Sequence, residues 1–366
     1  MIKYLGSKRT LIPRILEVVQ AIDAAQALGA GDERGRGVQS VIDLFSGTSR
    51  VGHALKRAGY RVLANDHNAY AAVIARCYVQ ADRSEDMLAR AAEHIARYNQ
   101  LPPQPGYFTE TFCQRSRFFQ AHNGARVDAI REAIAANAHA PELEAVLLTS
   151  LMEAADRVDS TTGVQMAYLK SWAQRSYNAL ELRMPDLLPQ APAGKSEAHQ
   201  LDAAEAARTL SADLAYIDPP YNQHKYLGNY HIWETLVRWD HPETYGVACK
   251  RIDCRERASP FNSRRRIQTA LASVFDSIAP RVQAMIVSFS NEGFLSRAEL
   301  EEMLARHGHV TVLEHDYKRY VGAQIGIFNP KGKRVGKISH LRNKELMYVV
   351  GSEAVTRAVA SLSDAA

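Results

Sequence analysis

The chain has 366 residues, 46% hydrophobic and 23% charged, with 45 Lys+Arg against 40 Asp+Glu for a formal net charge of +5. That length excludes a small disulfide-stapled scaffold and, at roughly 150 residues per domain, allows two domains or one large domain with an insertion. The composition is that of a folded protein, and the mildly basic balance permits a polyanionic partner without requiring one.

No apolar run approaches the roughly 18 residues of a membrane span, and the opening MIKYLGSKRTLIPRI lacks an apolar stretch of signal-peptide type. The expected address is cytoplasmic, with no membrane partner. Cys77, Cys113, Cys249 and Cys254 form no C-x-x-C pair and adjoin no histidine ladder, so reduced thiols and no metal are expected.

Residues 41–44 form a short apolar run that ends at Phe45-Ser46-Gly47-Thr48. A helical pattern over 51–58 follows, then a second run at 62–64 ending at Asn65-Asp66. Strand, glycine turn, helix and strand make a βαβ unit, which implies a parallel sheet with its ligands outside the carboxyl ends of the strands. From 70 to 188 the pattern is helical, broken by turn-rich 101–106 and by the aromatic, basic segment 108–119. Turn-rich 187–195 precedes a return to α/β alternation: a strand at 199–201, a helix from Ala203, and an apolar strand at 214–217 that runs into Asp218-Pro219-Pro220-Tyr221. Further strands are predicted at 284–290, 310–317 and 345–350, with a helix at 296–306. The helical block therefore reads as an insertion between two halves of one sheet, dividing the chain into 1–80, 81–195 and 196–366.

Two turns carry chemistry. The first, Asp43-Leu44-Phe45-Ser46-Gly47-Thr48-Ser49-Arg50, lacks both the G-x-G-x-x-G spacing and the G-K-[ST] of a phosphate loop. It retains a tight turn that lets backbone approach a ligand, with an acid, Asp66, at the next strand end, suited to vicinal ribose hydroxyls. A nucleoside without a pyrophosphate fits that pair; a plain turn and a helix cap fit Gly47 and Asp66 taken singly. In the second turn Pro219 and Pro220 fix φ and donate no N–H, leaving nearby carbonyls as rigid acceptors. Asp218 and such a carbonyl suit the two hydrogens of an exocyclic amine, and Tyr221 offers a face for a heteroaromatic base.

Together, Asp218-Pro219-Pro220-Tyr221 and the Phe45-Ser46-Gly47 turn resemble the motif pair of S-adenosylmethionine-dependent amino methyltransferases that act on DNA. Tyr4-Leu5-Gly6-Ser7-Lys8 ahead of the turn, and the insertion between the two motifs, resemble the Dam-like (α-class) adenine methyltransferases. Asn222, Tyr226 and Asn229-Tyr230-His231 are most similar to the restriction–modification subgroup. The resemblance covers the two α/β halves, about half the chain. It implies a Rossmann-like class I methyltransferase sheet with a mainly helical target-recognition insertion. It further implies transfer of a methyl group to the amino group of a flipped-out adenine in double-stranded DNA, and the possible company of a cognate restriction endonuclease.

Carried over residue by residue, the resemblance implies that Tyr4, Lys8, Asp66 and Asp218 contact S-adenosylmethionine, with Asp43 and the backbone of Phe45, Ser46 and Gly47 beneath it. Asp202 matches the family's acid near the cofactor adenine or simply caps a helix. The turn reads S-G-T-S, less glycine-rich than the family's common forms. Asp218, Pro219, Pro220 and Tyr221 form the expected catalytic set. Lys225 and Tyr226, on an expected loop at 222–230, are expected DNA contacts. Basic clusters at Lys250, Arg251, Arg255, Arg257 and Arg264-Arg265-Arg266, and at Lys331, Lys333, Arg334 and Lys337, suit phosphate tracking. Arg115, Arg117, Phe118, Phe119 and Asn123 fit a base-reading element and a packed helix pair equally.

Overall fold

The computed structural model describes residues 1–28, 37–318 and 342–362. Its strands are β1 (Ser40–Asp43), β2 (Arg61–Asn65), β3 (Glu197–His199), β4 (Leu214–Ile217), β5 (Thr244–Tyr245), β6 (Lys250–Arg251), β7 (Ala284–Ser290), β8 (His309–Lys318) and β9 (Arg342–Gly351). Seven of them form one sheet in the order β3-β2-β1-β4-β7-β9-β8. From β3 to β7 the neighbours pair parallel, and β9 and β8 are antiparallel. Both chain halves thus build a single mixed α/β sheet, as the alternating pattern on either side of the helical block predicts. The β5–β6 pair is a separate hairpin that no periodicity announced.

Helices of the first half are α1 (Ile12–Leu28), α2 (Arg50–Arg57), α3 (Ala69–Ala75), α4 (Glu85–Asn99), α5 (Tyr107–Thr109), α6 (Ala121–Ala135) and α7 (Pro141–Val158). Those of the second are α8 (Ala203–Thr209), α9 (Tyr226–Asn229), α10 (His231–Arg238), α11 (Ile267–Ile278), α12 (Arg297–Leu304) and α13 (Glu353–Ala360). Because successive strand residues point to opposite faces, Ile42, Leu63, Ala215, Met285 and Tyr348 bury one side of the sheet against α8, α11 and α12. Val41, Val62, Leu214, Ile286 and Val349 bury the other against α1, α2 and α13. Strands covered on both faces read as continuous apolar runs, which is why 214–217 and 284–290 were legible to the residue.

A third core joins Ile74 of α3, Ile95 of α4, Ile130 of α6 and Leu151 of α7 to Ile232, Trp233 and Leu236 of α10. The helical layer therefore recruits residues that follow the second turn. Two expectations change here. Helix ends at Val158, and 159–196 is mostly extended and irregular rather than helical. Asparagines make that possible: Asn123 binds the Ser176 and Asn178 carbonyls and the Leu180 N–H, and Asn99 binds both backbone groups of Leu182. The strand expected at 199–201 is β3, ending at His199, because the Asn65 carboxamide takes both the N–H and the carbonyl of Leu201 out of the ladder.

Candidate active site

Strands β1 and β4 are neighbours whose connections leave toward opposite edges of the sheet. Open α/β sheets hold their ligands at such a switch point, beyond the carboxyl ends. A cavity of about 430 Å³ opens there, walled by the glycine turn, Tyr4, Lys8, Asp66, Asp202, Asp218, Pro220 and the segment 256–262. That volume is ordinary for a small-molecule site.

The glycine turn is tied from behind. Ser46 N–H donates to the Asn65 carbonyl at 2.8 Å. Gly47 has φ +51°, and a Cβ there would stand 3.1 Å from Cε1 of Tyr4, so this position requires glycine on both counts. Its N–H donates to Oδ2 of Asp66 at 3.0 Å, while Oδ1 of Asp66 accepts from the Asn68 backbone at 2.9 Å. Asp66 thus braces the turn while facing the cavity, and burial raises its carboxyl above the usual range against those hydrogen bonds. Ser49 takes φ +56° without being glycine, the local consequence of S-G-T-S. Asp43 is buried, accepts from the Gly52 N–H at 3.1 Å, and is pushed up to about 8 by burial with the charge of Asp218 adding, so it holds its proton at neutral pH. Asp202 caps α8 by accepting from the Ala204 N–H, as one of its two readings expects, and it also lines the cavity.

Lys8 and Asp218 meet although 210 positions apart. The ammonium lies 3.0 Å from Oδ1 of Asp218 and 2.6 Å from Oε1 of Glu345, and the Ser288 hydroxyl donates to the same Glu345 oxygen at 2.6 Å. Lys8, Ser288 and Glu345 are buried and Asp218 is 18% exposed. Burial pushes the Asp218 carboxyl up to about 6, opposed by Lys8 and reinforced by Glu345. Sequence reasoning missed Glu345. Its only signal was an acid opening an otherwise apolar strand, Leu346 to Val350.

Aromatic rings furnish one wall. Tyr4 stacks on Tyr230 with centroids 4.5 Å apart and on Tyr226 at 5.3 Å, and its hydroxyl meets that of Tyr70 at 3.1 Å. Phe261 stands edge-on to Phe45 at 5.1 Å. Tyr226 opens the short helix α9, where a loop was expected, and faces the cavity. Pro220 lines the cavity, whereas Pro219 is buried behind it. Tyr221 sits beside the cavity, its ring against Phe289 at 5.2 Å and 5.9 Å from the Lys8 ammonium. Ser7 Oγ, Ser46 Oγ, Arg50 Nε and Tyr216 OH are buried with no hydrogen-bond partner among the described residues, and all four residues line the cavity. Buried polar atoms are seldom left unpaired, so this wall fits a polar, nucleoside-sized group such as a methyl-donating cofactor.

The basic residues divide. Arg251 is 2% exposed and binds Asp240 and Asp253, so it is a core ion pair and not a phosphate contact. Arg257 lines the cavity and pairs with buried Glu234 at 2.8 Å. Exposed Arg255 lies on the Tyr245 ring. Lys225 is exposed at the cavity rim, and Arg264, Arg265 and Arg266 are exposed on the turn before α11. Lys331, Lys333, Arg334 and Lys337 lie outside the described residues. Phe118 and Phe119 are buried and Asn123 is spent on backbone, so these three pack the helical layer rather than read bases. Arg115 is bound to Thr244 of the hairpin and Arg117 lies on the Trp172 ring. Among the described residues no group of three His, Cys, Asp or Glu could hold a metal ion, and no helix is long and apolar enough to cross a membrane.

Comparison with known proteins agrees with this geometry. The chain is 28% identical over 312 residues to the type II methyltransferase M.NlaIII of Neisseria lactamica, covering 82% of this chain and 90% of that one. It is 27% identical over 340 residues to the modification methylase StsI of Streptococcus sanguinis and 28% over 375 to the type II methyltransferase M.FokI of Planomicrobium okeanokoites. It spans about half the length of those two, 49% and 54%. The family of D12 class N6 adenine-specific DNA methyltransferases matches residues 4–283, well over half of the chain, and this protein belongs to it.

Proposed function

We propose that the chain methylates the N6 amino group of an adenine swung out of double-stranded DNA, with S-adenosylmethionine as donor, as the modification partner of a restriction endonuclease in the cytoplasm. When bound, S-adenosylmethionine supplies an electrophilic methyl group on sulfur. The residues that would hold it are Tyr4, Lys8, Asp43, Asp66, Asp202, Asp218 and the Phe45-Ser46-Gly47 backbone. One observation carries the reading: the glycine turn and Asp218 share one cavity at the switch point, with unpaired polar atoms in its wall.

Asp218 supplies acceptor oxygens for an amino N–H, and the Pro219-Pro220 turn keeps a neighbouring carbonyl fixed for the second. Two such bonds draw electron density back toward the adenine nitrogen, whose lone pair is otherwise delocalised into the ring. Holding that nitrogen in place supplies the remainder of the barrier reduction, on the order of 7–11 kcal/mol in favourable cases. A base cannot reach this cavity from within a duplex, so it must be extruded at a cost of a few kcal/mol, offset by stacking on an aromatic face. Tyr221 is the family-implied face. The Tyr4–Tyr226 stack on the cavity wall is a second surface of the same chemistry. Lys225, Tyr226 and Arg264-Arg265-Arg266 are the proposed DNA contacts in the described residues, with Lys331, Lys333 and Arg334 beyond them. The proposed division assigns 1–80 and 196–366 to cofactor and chemistry and 81–195 to target recognition.

Expression in a methylation-free bacterial host followed by single-molecule sequencing of its genome tests this. N6-methyladenine in one short sequence context is the expected result. Unmodified DNA from cells making folded protein refutes it.

A further inference from the structure

We propose that Glu345 is a positioning residue for the reaction: it gives Lys8 a second anionic anchor, so that the ammonium can release Asp218 when the target amino group arrives. The inference rests on the proposed function, since it concerns how Asp218 is made available. Glu345 and Ser288 both lie beyond residues 4–283, the span the family matches.

An amino group docks on Asp218 through its carboxylate lone pairs, and the ammonium of Lys8, 3.0 Å from Oδ1, occupies one oxygen and draws electron density from both. A buried lysine with a single carboxylate would remain clamped there, because separating two charges in a low-dielectric site is expensive. Glu345 changes the balance. It stands closer to the ammonium than Asp218 does, 2.6 Å against 3.0 Å. It is fixed in place by the Ser288 hydroxyl and by its station on buried β9, paired with β7. Lys8 can therefore move toward Glu345 without becoming an unpaired buried cation. Two carboxylates against one ammonium leave Asp218 a stronger acceptor than a one-to-one pair would.

The other titratable groups that bear on Asp218 and Lys8 are Tyr216 on β4, Tyr221 on the turn after it and Tyr226 on α9, with buried Asp43 at the end of β1. Burial raises Asp43 and the phenols, and Glu345 is the second carboxyl against the Lys8 ammonium.

The test is Glu345→Gln, which keeps shape and hydrogen bonding, removes the charge, and leaves Lys8 paired one-to-one with Asp218. Single-turnover methylation of an adenine-containing duplex is followed across pH, with KM for DNA and the affinity for S-adenosylmethionine measured beside it. The turnover constant is expected to fall about tenfold, the loss expected when a charge-assisted hydrogen bond must displace a competing donor. KM and donor affinity should stay within about twofold, a split that uniform binding loss would not give. The acid limb of the profile should move to lower pH, since Glu345 raises the Asp218 carboxyl; a merely structural role would scale the profile without shifting it. Glu345→Asp keeps the charge but draws it back from Lys8, and should fall between wild type and Glu345→Gln in both readouts. If the glutamine variant does not fold, the aspartate variant decides alone. Variants with an unmoved acid limb, whether turnover is lost or unchanged, overturn the inference while wild-type methylation of adenine leaves the proposed function standing. A wild-type protein that makes no N6-methyladenine overturns both.

Discussion

Replacing Lys8 by Met removes the cation between buried Glu345 and nearly buried Asp218 and keeps the volume of the side chain. In the folded protein Lys8 lies 3.0 Å from Asp218 and 2.6 Å from Glu345, at 7% exposure. Breaking a buried pair by deleting one partner leaves an uncompensated charge, typically at a cost of about 3–5 kcal/mol. At roughly 2 °C per kcal/mol for a chain of this size, the melting midpoint should fall by about 6–10 °C. The loss must depend on pH with a fixed sign. The Asp218 carboxyl is already raised to about 6 with the cation present, and without Lys8 it loses the charge that opposes that rise. A raised acid binds its proton more readily in the folded state, so the penalty is absent below the unfolded value and fully present above the folded one. Urea titrations of wild type and variant at about pH 8 and about pH 5 read this directly. The gap should be widest at the higher pH and shrink at the lower. A variant within about 1 kcal/mol of wild type at pH 8, or a gap that ignores pH, refutes the claim that this corner is an ion triad.

Three further outcomes are expected. Asp218→Asn should keep its fold, because Lys8 retains Glu345, and should lower single-turnover methylation by at least roughly 10- to 150-fold, the equivalent of a missing charge-assisted hydrogen bond of about 1.5–3 kcal/mol; near-normal turnover would remove Asp218 from the reaction. Gly47→Ala forces a Cβ to within 3.1 Å of the Tyr4 ring at φ +51°. It should destabilise by about 1–2 kcal/mol, and calorimetry should show weaker binding of S-adenosylmethionine; unchanged affinity would detach the turn from the cofactor. Replacing Arg264, Arg265 and Arg266 together by Ala should reduce the slope of log K against log salt for duplex DNA by up to about 3, roughly one for each phosphate no longer neutralised. An unchanged slope would return that cluster to the solvent.

The meeting of the two turns at one cavity was legible because its signals are local. Apolar runs that close on Phe45-Ser46-Gly47 and on Asp218-Pro219-Pro220-Tyr221 mark strand ends, and parallel sheets put such ends together. What failed to show depends on side-chain contacts that local periodicity does not report. Arg251 reads as one more residue of a basic cluster until Asp240 and Asp253 close on it. The Asn65 carboxamide ends β3 from 136 positions away. Asn99 and Asn123 hold 176–182 in an extended course that local propensity cannot foretell. Glu345 is silent as a sequence letter, since an acid at a strand start usually faces water.

Residues 3–8 connect what the sequence keeps apart. Lys3 reaches Asp159 and the Asp156 carbonyl at the end of α7, in the helical layer. Leu5 N–H donates to the Tyr230 hydroxyl, between the short helix α9 and α10. Lys8, opening a one-turn helix at Lys8–Thr10, then meets Asp218 and Glu345. One short strap thus touches the helical layer, the aromatic wall and the acid of β4. The segment that carries the Lys8 ammonium to Asp218 is thus bound at its other end to the helical layer proposed to recognise DNA.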